Sequence, residues 1–179
     1  MNRFVNVTFT PVYDGASTIQ QQLANGTFSV TYQTSDVFHR IEASLQIAGP
    51  DPEFNEIVAG GTLLTEEDET VVGWSPAAEG AIDQPNGVCL EVWSLAIAGG
   101  RRATVKPYYH WIFPRLFLHP SDDRTFENDV LAWHFTGWGN SNPNFAGTGI
   151  PGWTWATDRP YQYARTDTAP AGINAYEVV

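Results

Sequence analysis

Chemistry in this sequence would have to come from its histidines, its paired carboxylates or its tryptophans. His110 and His134 fall in neighbouring strand-like runs, and His119 lies beside a polar loop. Two cross-strand histidines could make half of a metal site. No cysteine, histidine or carboxylate completes it at metal-ligand spacing, so the histidines read as partly exposed strand residues. Asp122-Asp123 and the run Glu66, Glu67, Asp68, Glu69 offer the paired carboxylates that glycoside hydrolysis uses. Adjacent carboxylates on loops carry no such geometry and read as solvated turns. No GxSxG, phosphate-binding loop, Rossmann glycine pattern or HExxH occurs. The seven tryptophans leave sugar stacking open, as in a carbohydrate-binding module. Against it, Trp93, Trp111 and Trp133 read as core, and Trp153 and Trp155 as packing at an interface. The expectation is therefore no catalytic residue, no cofactor and no metal: not an enzyme.

The elements that carry these residues centre on positions 88–140. Three strand-like runs, Val88–Ala98, Tyr108–His119 and Val130–Trp138, are rich in β-branched and aromatic residues. Gly99-Gly100 supplies the positive φ of a tight turn. The first two runs are apolar on both faces, which predicts a sheet covered on both sides. The third alternates, with Leu131, Trp133 and Phe135 on one face and Ala132, His134 and Thr136 on the other. Pro114 cannot donate a ladder hydrogen bond, so a bulge, bend or edge is expected there.

Upstream, Arg3–Tyr13, Thr27–Gln33 and His39–Ala48 alternate as strands. In the last, Ile41, Ala43, Leu45 and Ile47 face the core, while Arg40, Glu42, Ser44 and Gln46 face away. Ser17–Asn25 reads as a short polar helix or a loop. Asp51 as N-cap, Pro52 and Glu53 open a helix over residues 51–60, with Phe54, Ile57 and Val58 on its packed face. Thr62–Gly87 has no clear strand pattern and reads as a long loop. Residues 140–179 have no periodicity and read as an extended C-terminal arm whose aromatics dock on a neighbour.

The whole predicts an all-β fold: a β-sandwich or partly closed barrel with one short helix, its core spanning residues 1–139 and its arm 140–179. The length of 179 residues suits one such domain. Cys89 is the only cysteine, so no intrachain disulfide forms, and it reads as a small core residue. The start MNRFVNVTFT has no signal-peptide apolar region, and no apolar run reaches membrane length, so a soluble chain made in a reducing cytoplasm is expected. The net charge of −11 disfavours conventional nucleic-acid binding.

The phrase Trp111-Ile-Phe-Pro-Arg-Leu-Phe-Leu118, a polar loop, Glu127-Asn-Asp129 and then Leu131-Ala-Trp-His-Phe-Thr-Gly-Trp138 resemble the tail tube (major tail) proteins of long-tailed bacteriophages. The Asp-Pro-capped helix ending in Gly60-Gly61 is a second point of similarity. The resemblance covers about a third of the chain and implies a structural virion protein. Subunits of that family form hexameric rings whose inner sheets join into a continuous barrel, and the rings stack into a hollow tube that delivers DNA. It implies a tail-tube-like fold, a location in the phage tail after assembly in the host cytoplasm, and as partners other copies of the chain, other tail proteins and DNA that passes without specific binding. Glu66, Glu67, Asp68, Glu69, Trp74, Trp153 and Trp155 are the candidate inter-ring contacts. Arg40, Glu42, Ser44 and Gln46 are the candidate lumen-facing set, where acidic potential would keep phosphates from adhering. A head decoration or head–tail connector protein, or a sugar-binding module, would share much of this composition.

Overall fold

The computed structural model describes residues 4–81, 87–121, 132–145 and 154–167. The chain is mostly β with a single helix among the described residues, and its main sheet curls into a half-barrel. Strand β1 (Phe4–Asp14) leads to a small hairpin of β2 (Thr18–Gln22) and β3 (Phe28–Gln33), then to β4 (Val37–Ala48) and helix α1 (Pro52–Ala59). Strands β5 (Thr62–Thr65) and β6 (Val71–Ser75) form a second hairpin. Strand β7 (Val88–Leu95) is followed by the short pair β8 (Ile97–Ala98) and β9 (Arg101–Arg102). Strands β10 (Tyr108–Pro120), β11 (Ala132–Gly139) and β12 (Gln162–Thr166) complete the sheet.

β10 is the spine. β7 pairs along one of its edges. Along the other edge, β12 pairs with residues 108–112 and β11 with residues 116–120. β4 follows on β11, and β1 on β4, all antiparallel. The register jumps between Phe113 and Leu116, so Pro114 sits at a bulge, as its missing N–H requires. The bulge has a packing consequence. Phe113 and Leu116 are three residues apart and would face opposite ways in a regular strand, yet both enter the main core.

That core rests on the alternation of β4. Ile41, Ala43, Leu45 and Ile47 are 0–5% exposed and meet Leu116, Leu118 and Phe135. Helix α1 caps it. Asp51 Oδ1 accepts from the Phe54 N–H at 3.2 Å, Pro52 takes the first helical position, and Gly60 ends the helix at φ 69°. Gly99 and Gly100, at φ 59° and 76°, make the two-residue turn between β8 and β9.

Four expectations need correction. Ser17–Asn25 is neither helix nor loop, because Thr18–Gln22 is a strand. The segment 62–87 read as a long loop holds the β5–β6 hairpin. The segment read as an unpatterned arm gives the main sheet its strand β12 and buries Phe145 against Ile112. On the helix, Phe54, Asn55, Val58 and Ala59 are the buried residues, and Ile57 is only half-buried. Helix α1 packs against both β10 and the β5–β6 hairpin.

Gly137 of β11 lies against the β10 backbone at Phe117 and Leu118. A methyl group there would run into the Phe117 carbonyl oxygen, which is backbone and cannot swing aside. Gly137→Ala should therefore cost about 1–3 kcal/mol or more, read as a lower urea midpoint at unchanged slope. An unshifted midpoint would show that the strands can part to admit the methyl.

Candidate assembly surfaces

The outer face of β4 carries the candidate lumen-facing set together, as alternation demands. Glu42 and Ser44 are exposed, and Arg40 and Gln46 are half-buried. Glu42 lies between Thr10 and Trp138, Ser44 between Thr8 and Thr136, and Gln46 between Asn6 and His134. The result is a polar wall three strands wide. Arg40 Nη2 meets Glu42 Oε1 at 3.0 Å. Both side chains are about half exposed, so this pair contributes under about 1 kcal/mol, and its effect is to cancel charge locally. At one margin Arg115 lies over the Phe117 ring, which packs against Trp138 at 4.5 Å.

The inter-ring candidates separate. Glu66, Glu67, Asp68 and Glu69 are exposed at the tip between β5 and β6. The tip is built as a turn: Glu66 N–H donates to the Thr70 carbonyl, Glu69 N–H to the Glu66 carbonyl, and Thr70 N–H to Asp68 Oδ1. Hydrogen bonds from Thr70 hold the Asp68 carboxyl below its usual value. Trp74 turns inward instead. Its indole N–H donates to the Gly60 carbonyl at 2.7 Å and fastens β6 to the end of α1. Trp155 packs edge-on to Phe145 at 5.1 Å, in a small second core with Ile112, Cys89 and Ala164. Trp74 and Trp155, both half-buried, thus each have a partner within the chain. Trp153 lies outside the described residues.

The histidines stay apart. His110 is buried, stacks on Trp93 at 4.0 Å and has Nε2 2.8 Å from Glu91 Oε2. His134 and His119 are exposed at the far end of β10. Among the described residues no three His, Cys, Asp or Glu side chains form a metal-holding group. Asp122 and Asp123 lie outside the described residues. Trp93, Trp111, Trp133 and Trp155 are all half-buried, which leaves Trp138 as the one tryptophan among the exposed large apolar side chains described.

Burial, reinforced by the Glu91 carboxylate, pushes the Cys89 thiol from 9.0 up to about 12. The thiol is thus inert packing at neutral pH. Native alkylation at pH 8 should be about a thousandfold slower than that of a free thiol, by the loss of thiolate alone. Because the folded pKa is raised, the stability it contributes is complete below about pH 9 and is lost as the pH climbs toward 12. Rapid labelling of the folded protein at pH 8 would contradict this placement.

Two further surfaces escaped the sequence. The concave side of the half-barrel holds an open groove of about 400 Å³. Val7, Phe9 and Pro11 of β1 and Ile41 of β4 form one wall, and Val92, Ser94, Trp111, Phe113 and Tyr161 the other. Phe9 stacks on Phe113 at 3.7 Å and floors it. The second surface is the β2–β3 hairpin. Ile19 lies opposite Tyr32, and past a register shift Phe28 lies opposite Gln22. All three are 57–60% exposed. One signal was available: residues 15–35 carry no charged side chain, in a chain with 29 charged residues.

Compared with known proteins, the chain matches no family, no curated protein and no solved structure. No described helix is long and apolar enough to cross a membrane.

Proposed function

We propose that this chain is a structural subunit of a phage tail that self-assembles into stacked hexameric rings, forming the hollow tube through which DNA is delivered. The observation that carries the reading is the open half-barrel. Its sheet ends at β1, β7 and the short β12, and among the described residues none of these is paired along its outer edge. Free edges of this length are a template for another chain, and joining them to neighbours removes the hazard. The resemblance of the Trp111–Leu118 and Leu131–Trp138 phrases to tail tube proteins gives the kind of assembly.

In this reading the outer face of β4 lines the channel. Arg40, Glu42, Ser44 and Gln46 present mixed polar groups with their charges paired, so passing phosphates find no row of free cations. The acidic β5–β6 tip contacts the next ring. The subunit acts in the virion, after assembly in the host cytoplasm, with other tail proteins as partners and without catalysis.

The structure of the tip sets how its role is tested. Deleting it would open a hairpin that Trp74 anchors to α1, so neutralisation is the cleaner change. Glu66→Gln, Glu67→Gln, Asp68→Asn and Glu69→Gln together keep an acceptor for the Thr70 N–H. The subunit should fold normally and form rings that stack poorly. Normal tube lengths would remove the tip from the contact.

The reading as a whole is tested by sedimentation velocity and negative-stain microscopy of the purified protein, alone and with tail nucleating complexes. Rings or tubes are expected. A head–tail connector would give single rings that never lengthen, a sugar-binding module a monomer with saturable glycan binding.

A further inference from the structure

Charge is divided unevenly along this chain. Eleven of its twenty carboxylate side chains and none of its nine Lys and Arg lie between residues 41 and 100, so that stretch carries the whole net charge of −11. Residues 92–121 reverse the balance, with Arg101, Arg102, Lys106 and Arg115 and no carboxylate.

The fold sends the two signs to opposite ends of β10. At the Tyr108 end, Arg101 and Arg102 form the exposed strand β9, and Arg165 reaches over from β12 to donate to the carbonyls of Val105 and Lys106 at 2.8 to 3.2 Å. Arg101, Arg102, Lys106 and Arg165 are all exposed, and among the described residues none of them is in a salt bridge. Asp167 offsets one of the four charges, its Oδ1 accepting from the Lys106 N–H at 2.7 Å. Near the Pro120 end, Phe54 of α1 meets Phe135, the partner of Pro120 in the sheet, and the β5–β6 hairpin packs on α1. That unit holds Glu53, Glu56 and the exposed tip Glu66, Glu67, Asp68 and Glu69, with no Lys or Arg among them. Strand β10 puts about 40 Å between its two ends.

A cluster of cations without carboxylate partners attracts an acidic surface. A second copy presents one in concentrated form, four consecutive exposed carboxylates at a hairpin tip. A DNA duplex is the poorer candidate, because the net charge of −11 repels it from a distance. Copies aligned head to tail turn that same uneven charge into attraction.

We propose that the basic apex formed by Arg101, Arg102, Lys106 and Arg165 receives the acidic β5–β6 tip of a second copy of this chain, in the next ring. The inference rests on the tube reading and names the surface that the tip meets. The contact joins two different patches, so it is heterologous, and it repeats along an axis instead of pairing two copies off. Each exposed charge pair is weak alone, and the copies in a ring make the contact many times over.

Charge reversal on each side tests it. Arg101→Glu with Lys106→Glu reverses half of the apex and spares Arg165 and Arg102, whose Nη2 lies 2.6 Å from the Tyr108 hydroxyl. Glu66→Lys with Glu67→Lys reverses half of the tip and spares Asp68, which accepts from the Thr70 N–H. All four positions are exposed, so the melting curves should match wild type. Stacking is read as tube length in negative stain and as the protein concentration that tubes require. Wild-type tubes should shorten as salt rises. Either reversal alone should leave rings and raise the required concentration at least about tenfold. The two reversals in one chain should restore tubes. Normal tubes from the apex reversal, with or without a change in binding to a short DNA duplex, overturn the inference and leave the tube reading standing. So do wild-type tubes indifferent to salt, and so does a double reversal no better than its parts, since tip and apex then do not meet. A wild-type chain that forms no stacked rings under any condition, with or without nucleating complexes, overturns both.

Discussion

Changing Glu42 and Gln46 together to lysine should leave tubes intact and hold DNA inside them. Both side chains project from the outer face of β4, away from Ile41, Ala43, Leu45 and Ile47, so the core is untouched. The double change raises the net charge by three per subunit, by two at Glu42 and by one at Gln46. It also frees Arg40 from its 3.0 Å partner. Each new phosphate contact should steepen the salt dependence of duplex binding by about 0.9 in log–log slope, and a ring multiplies the contacts by its copy number. Genome delivery should slow or stop at low salt and recover as salt rises. Delivery at the wild-type rate, with tubes that still do not retain DNA, would remove this face from the inner wall.

Replacing Phe54 by alanine should cost about 3–5 kcal/mol, a large share of the stability of one domain. Phe54 is 5% exposed and meets the Phe135 ring edge-on at 5.2 Å, with β4, β10 and β11 around it. Removing the ring leaves a cavity that cross-strand hydrogen bonds keep from collapsing. The helix itself is too short to persist without this anchor. Urea unfolding reads the loss directly. Ile57→Ala makes the internal comparison: Ile57 is half-buried, so its cost should be well below that of Phe54. Equal costs would mean that the helix packs through a different face.

The contrast between these two helix residues shows what was legible in the sequence. Strand β4 announced itself because one face is buried and the other wet, which writes a period of two into the sequence. Pro114 marked its own bulge, and Asp51-Pro52 marked the start of the helix. Strand β2, reading Thr-Ile-Gln-Gln-Gln, is exposed throughout and has no buried face to impose a period. Strands β5 and β12 are four and five residues long, too short for alternation to separate them from loop.

The candidate sites divide in the same way. Arg40, Glu42, Ser44 and Gln46 share a face because strand geometry requires it. For Trp74 and Trp155, candidates for inter-ring contacts, no local rule tells an inward indole from an outward one. What turns Trp74 inward is the Gly60 carbonyl, fourteen positions away. The groove draws its lining from β1, β4, β7, β10 and Tyr161, and no local pattern could have joined them.

The most direct measurement is a density map of the assembled particle at a resolution that resolves side chains. The account predicts stacked rings of this chain with the β1 and β7 edges paired to neighbouring subunits and with Glu42 and Gln46 on the channel wall. A particle in which this chain forms no ring around a channel, or decorates an outer surface as separate monomers, would contradict it.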